Sequence, residues 1–248
     1  MKGFARLLAA EMRKYAHTPV LKIHLVLPLV GMTVFLLYYS FSGWSSAGKV
    51  KAYLEVVACI WPFLTGLVCG MAAEMEAEAG YQILLLLPPG RCRGITAKWL
   101  GLLILGLGAV LLAILGFGIL YRLLLPGGDV FSLDLYVREA LVIWLGQIPV
   151  YLIHLFLSIR LGKAASISAG AGGMILACLM LTGMGEGIWM YLPWAFSGRW
   201  CDYVLVYHMG VMDSAAVAEQ AFWPFCVCGG LSLLIFGAVL FWYRKKDF

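Results

Sequence analysis

Charge is scarce in this sequence: 12% of its residues are Asp, Glu, Lys or Arg, about half the share of a soluble domain. With 63% hydrophobic residues and a mean hydropathy of +0.93, a water-soluble fold is excluded. Alternation at period two, the mark of a membrane barrel, is also missing. The apolar runs are continuous, and lipid admits only helices or closed barrels as spanning structures. The class that remains is an all-α polytopic membrane protein.

Other absences narrow the function. No G-x-x-x-x-G-K-[ST] occurs, and the Gly162-Lys163 pair lacks the upstream glycine, so the chain is not expected to hydrolyse nucleotide itself. There is no H-E-x-x-H and no Cys/His group at zinc spacing, so no metal site is expected. No set of nucleophile, base or metal can be assembled, which leaves no catalytic residue to name. The seven cysteines fall mostly in apolar segments; Cys201 sits in a predicted loop without a loop partner, so no disulfide is expected. Cys226 and Cys228 lie two apart and do not face each other on a helix. Glu11, Arg13 and Lys14 interrupt the first apolar stretch and no cleavage site follows it, against a signal peptide. There is no internal repeat and no basis for a nucleic-acid partner.

What the chain has is hydrophobic length. Six runs reach the roughly 20 residues a crossing needs, near 20–40, 54–73, 99–121, 138–159, 164–184 and 221–243, within a single transmembrane domain over 1–248. Pro28 and Pro62 fall inside the first two and are expected to kink them. Ahead of these, residues 2–17 predict an amphipathic interfacial helix, with Phe4, Leu7, Leu8, Met12 and Tyr15 on one face and Lys2, Arg6 and Arg13 on the other. Thr18-Pro19 predicts a bend before the first span. Lys49, Lys51, Arg122, Arg138 and Arg199 fall on one side and the other 13 of the 18 cations on the opposite one. The positive-inside rule then makes both termini cytoplasmic, with Trp242-Tyr243 and Arg244-Lys245-Lys246 as an inner anchor. Gly66-x-x-x-Gly70 is among several small-residue spacings that permit close helix approach. Gln147 and His154 are the polar residues inside a span, seven apart on one face. They suggest interhelical hydrogen bonds rather than an ion relay, since no span carries a carboxylate at its centre.

Two loops stand out. The inner one, 74–98, reads EMEAEAGYQILLLLPPGRCRGITAK. Glu74 and Glu78 share an exposed helix face, Gly80 ends that helix, 81–87 forms a short apolar helical turn, and Pro88-Pro89-Gly90 stops it. Arg91, Arg93 and Lys98 return the chain to inner headgroups. Such a protrusion suits a lever gripped by a soluble partner; an ordinary solvated loop is the alternative. The outer one, 185–220, is rich in aromatics suited to a headgroup belt, among them Trp189, Tyr191, Trp194 and Trp200. Its 187–193 stretch is too short to cross and predicts a re-entrant or interfacial element.

These features together resemble an ABC-2 type transporter permease of the lantibiotic (bacteriocin) immunity group. The amphipathic start, the six spans with both ends inside, and the pattern Glu76, Glu78, Gly80, Gln82, Leu84, Leu85 and Pro88 followed by basic residues carry the resemblance, with Pro193-Trp194 before the last span. Tyr81, Leu86 and Leu87 depart from the polar residues usual there. The resemblance implies that 74–98 holds a cytoplasmic coupling helix between spans two and three, with Glu74, Glu76, Glu78, Gly80, Gln82, Leu84, Leu85 and Pro88 coupling to a soluble ABC ATPase dimer. ATP and Mg would sit on that partner, and no cofactor on this chain. It implies pairing with a related permease or a second copy in the bacterial plasma membrane. It further implies an amphipathic peptide cargo expelled from the membrane, giving immunity, with Trp189, Tyr191, Pro193, Trp194 and Trp200 facing it. An ABC-2 permease for another drug, antibiotic or lipid, and a non-transporting immunity protein that binds the peptide, are the competing readings.

Overall fold

The computed structural model describes residues 2–80, 91–128 and 130–245. The helix α1 (Lys2–Ala16) ends before Thr18, whose extended backbone (φ −125°, ψ 165°) places Pro19 in the first turn of α2 (Pro19–Phe41). Proline is tolerated there because its missing N–H has no partner to lose. Next come α3 (Ser46–Glu78), α4 (Arg91–Leu124), α5 (Leu133–Leu161) and α6 (Lys163–Met180). Gly162 alone joins α5 to α6, at φ +89°, a backbone conformation that a side chain would strain. Three single-turn 3-10 segments, Gly183–Gly185, Trp189–Tyr191 and Pro193–Ala195, lead into α7 (Phe196–His208) and then α8 (Ser214–Lys245). No strand occurs among the described residues.

Six of these helices, α2 to α6 and α8, are long and apolar enough to cross a membrane. Pro28, Pro62, Pro149 and Pro224 lie inside them. The hub is α3: 67% of its apolar window is buried, against 11% for α8. Thr65 meets Gln147 and Cys69 meets Tyr151, both pairs 82 residues apart, so α3 and α5 run parallel in constant register. Gly66 and Gly70 let α6 close on α3: a Cβ on Gly66 would lie 2.6 Å from the Ser166 carbonyl, and one on Gly70 3.0 Å from Lys163 Cγ. That is the close approach expected of small-residue spacings.

Several boundaries differ from the sequence reading. Within the charged stretch 74–98, α3 continues to Glu78 and α4 begins at Arg91, past the span ends expected at 73 and 99. Ala, Met and Glu all favour helix, and Glu74, Glu76 and Lys98 find ion-pair partners there. The last long helix begins at Ser214 rather than 221, and α6 stops at Met180 rather than 184. Cys201, expected in a loop, is buried in α7.

We call the end carrying α1 the foot and the opposite end the crown. The segment 181–195 dips from the crown into the bundle. Ser197 bonds Gln147, the middle residue of α5, at 2.7 Å, and Trp189 clusters with Cys228 near the middle of α8. From there α7 climbs back until His208 reaches Asp134 at the start of α5. The stretch 187–193, expected to be a re-entrant or interfacial element, is part of this inward fold. Irregular backbone at such depth is tolerated only where protein surrounds it, and Trp189, Pro193 and Ala195 are all buried.

Candidate functional site

The foot holds a buried cluster of four charges drawn from three helices. Glu11, Lys14 and Tyr15 lie at i, i+3 and i+4 on α1, so they share the face turned to the bundle. Glu76 stands in the last turn of α3, and Lys98 is in the third turn of α4. The Lys98 ammonium donates to Glu11 Oε2 at 2.8 Å and to Glu76 Oε1 at 2.9 Å. Lys14 donates to Glu11 Oε1 at 3.1 Å and also to Glu76. Lys98 is 0% exposed and Glu76 1%, so water does little of the compensation. Tyr15 completes the site: its hydroxyl donates to the Lys98 carbonyl at 3.4 Å, and its ring lies 5.6 Å from the Lys98 ammonium. Gly101 makes room for it, since a Cβ there would sit 3.0 Å from the Tyr15 ring.

Burial lowers the Lys14 pKa, but the hydrogen bond it donates to Glu76 and the charges of Glu11 and Glu76 outweigh it and raise the value above 10.5. A cation raised on folding contributes stability that is complete below its unfolded value and disappears as pH climbs through the folded one. The Lys14 contribution is therefore flat through neutral pH and lost only in strong base, which a thermal melt measured at several pH values will show.

A second tie fixes the same helix end. Lys163, at the start of α6, bonds Glu74 Oε2 at 2.7 Å. Glu78 is exposed, and Gly80 turns the chain at φ +64°. The described part of the 74–98 stretch is thus divided: Glu74 and Glu78 are exposed, Glu74 reaching Lys163 at the surface, while Glu76 turns into the bundle and Lys98 lies inside it rather than at headgroups. Gln82, Leu84, Leu85 and Pro88 lie outside the described residues. Glu11 was missed because the sequence reading took its face of α1 as purely apolar; its spacing of four from Leu7 was the available signal.

From this foot, α3 carries two polar contacts to the re-entrant segment. Thr65 Oγ1 donates to Gln147 Oε1 at 3.2 Å, Gln147 Nε2 donates to Ser197 Oγ, and Ser197 Oγ donates to the Ile143 carbonyl at 2.8 Å. Two turns further along α5, the Trp194 indole donates to His154 Nε2 at 3.2 Å. An indole N–H can only donate, so the His154 proton sits on Nδ1, which faces Ser166 Oγ at 3.0 Å. Ser166 then donates to the Gly66 carbonyl at 2.9 Å. Among the aromatic residues expected to face cargo, Trp189 is buried, Pro193 is buried, Trp194 turns inward to His154, Trp200 is half-buried, and Tyr191 is 56% exposed.

The fold defines a bundle whose six long apolar helices have the length and composition of membrane spans. No family profile, curated protein or solved structure matches this chain.

Proposed function

We propose that this chain is the permease subunit of an ATP-driven ABC transporter that expels a lantibiotic-type peptide from the plasma membrane and so confers immunity. The observation that carries the proposal is the anchoring of the 79–90 connection. Both helices that flank it, and the interfacial helix α1, are locked together by Glu11, Lys14, Glu76 and Lys98. A soluble ATPase pressing on that connection from the cytoplasm would move three helix ends as one body. Breaking a buried pair by removing one partner costs about 3–5 kcal/mol, so the cluster transmits force rather than yielding to it. Because α3 is the hub, its displacement would pass through Thr65 and Gly66 to Gln147, Ser197, His154 and Trp194, and so to the re-entrant segment.

The lack of any nucleotide-binding motif agrees with an energy source on a separate chain. Glu78, exposed beside the connection, is a contact point for that chain. Reversing it with Glu78→Lys should weaken co-purification of the ATPase about tenfold, the scale of one lost charge contact at an interface, while leaving the melting temperature unchanged. If no ATPase accompanies the wild-type chain under conditions that preserve such complexes, the proposal fails.

A further inference from the structure

A groove runs between α8 and the pair α5 and α7. Its upper part, of about 360 Å³, lies at the crown among Arg138 of α5, Tyr203, Tyr207 and His208 of α7, and the first turns of α8. Its lower part, of about 320 Å³, reaches Gly146, Phe196 and Ser232. Val142 and Trp200 line both, so the two parts abut. Each exceeds twice the roughly 150 Å³ that admits a benzene. Leu145 and Phe225, on the walls of the lower part, are 52% and 67% exposed, so the groove opens on the apolar flank of the bundle.

Its two ends differ in chemistry. No Asp or Glu lines the groove at all. The lower part is apolar apart from Cys228 and Ser232, and the Ser232 hydroxyl donates to its own helix at 2.7 Å. At the mouth, Arg138 Nε donates to Asp134 Oδ2 at 2.6 Å, and both side chains are more than half exposed. Among the described residues, that Nε is the one nitrogen of the guanidinium with a partner. The two terminal nitrogens keep four N–H in a planar fork, the shape that grips a phosphate bidentately. Beside it, His208 donates from Nδ1 to the Val204 carbonyl at 2.9 Å and turns Nε2 toward the same Asp134 oxygen at 3.5 Å. Two basic side chains thus share one carboxylate, a mouth that suits an anion.

Depth selects the rest of the ligand. From Arg138 to Gly146 along α5 is about 12 Å, and from His208 to Phe196 along α7 about 18 Å, at 1.5 Å per residue. A chain crossing one leaflet needs about 15 Å, half the hydrocarbon core. Gly146 adjoins Gln147 at the middle of α5, so the groove ends where a leaflet ends. A peptide side chain entering at the mouth would leave the lower part empty. Tyr203 and Tyr207 stand at the level where aromatic rings meet headgroups.

We infer that this groove is a phospholipid site, with the phosphate on the terminal nitrogens of Arg138 and one acyl chain lying along α5 and α7 as far as Ser232. The seated lipid fills the space that α8 leaves and braces the re-entrant helix α7. The site does not depend on what the chain transports.

The test titrates the full chain, purified in detergent, with dioleoyl phosphatidylglycerol or with dioleoylglycerol, which has the same chains and no phosphate. Native mass spectrometry reads the bound lipid. Wild type should hold the phospholipid about tenfold more tightly, the scale of one charge-assisted hydrogen bond. Arg138→Gln should erase that preference, and it keeps the fold because an exposed ion pair contributes little. Gly229→Phe should weaken both lipids. Gly229 lines the lower part and nothing lies within 4 Å of a Cβ there, so the ring fills the groove without a clash at its base. Phosphatidylglycerol with a diazirine midway along one chain should label 142–146, 196–200 or 225–232. Equal affinity of wild type for the two lipids overturns the phosphate site, as does a preference that survives Arg138→Gln. Labelling confined to other helices overturns the groove as the seat of the chain. A wild-type dimer that Gly229→Phe splits into monomers would make the groove a face between two copies and overturn lipid as its occupant.

Discussion

Replacing Lys98 with methionine should be among the most damaging single changes available in this protein. Methionine fits the volume, so the cavity effect is small, and the loss is electrostatic. Glu11 and Glu76 would be left with Lys14 alone, at 7% and 1% exposure. Removing one partner from a buried pair costs about 3–5 kcal/mol, because the remaining charge is stranded where water cannot reach it. In a chain of this size that corresponds to a fall in melting temperature of roughly 10 °C. The signature of the mechanism is recovery: Glu76→Gln combined with Lys98→Met removes one charge of each sign and should be milder than Lys98→Met alone. The control is Lys163→Met, which breaks the Glu74 pair at 38% and 45% exposure; an exposed pair contributes at most about 1 kcal/mol. Tryptophan-fluorescence melts in detergent read all three. Additive losses in the double variant would show that the four charges do not act as a unit.

The same cluster shows where sequence reading stops. Six spans are legible because a run of about 20 apolar residues has few other fates, and the bend at Thr18-Pro19 follows from local sterics alone. Glu74 and Glu78 on one exposed face, with Gly80 ending the helix, also follow from spacing. The inward pairing of Glu76 and Lys98 does not. Its key partner, Glu11, lies 87 residues from Lys98, and a charged residue read by itself is assigned to water. The middle of the bundle gives a similar lesson. That Gln147 and His154 share a face is visible at spacing seven, and the short 187–193 stretch is visibly unable to cross. That Ser197 and Trp194 would come down to meet them is not, because α7 mixes aromatic and charged residues in a pattern that suits a surface belt equally well.

Gly146→Ala should dislodge the re-entrant helix, the second large effect. A Cβ at this position would lie 2.6 Å from both the backbone nitrogen and the Oγ of Ser197, and 2.9 Å from its Cα. Two of those atoms are backbone, so no rotamer change relieves the contact, and the N-terminus of α7 must move away from α5. That movement stretches Gln147 to Ser197 and Ser197 to Ile143, now 2.7 and 2.8 Å. Overpacking of this kind costs about 1–3 kcal/mol, and each interhelical hydrogen bond weakened within the span region adds about 0.6 kcal/mol. The matched control is Gly230→Ala on α8, where nothing lies within 4 Å of the new methyl; there alanine should be neutral or stabilising by up to about 1 kcal/mol through helix propensity. Hydrogen exchange over 196–208 distinguishes the mechanisms. If α7 separates from α5, its amides should exchange faster in Gly146→Ala while those of α3 stay protected. Uniform acceleration across the chain would instead mean global destabilisation, and the link from Gln147 to the re-entrant helix would lose its role as the path by which α3 moves the crown.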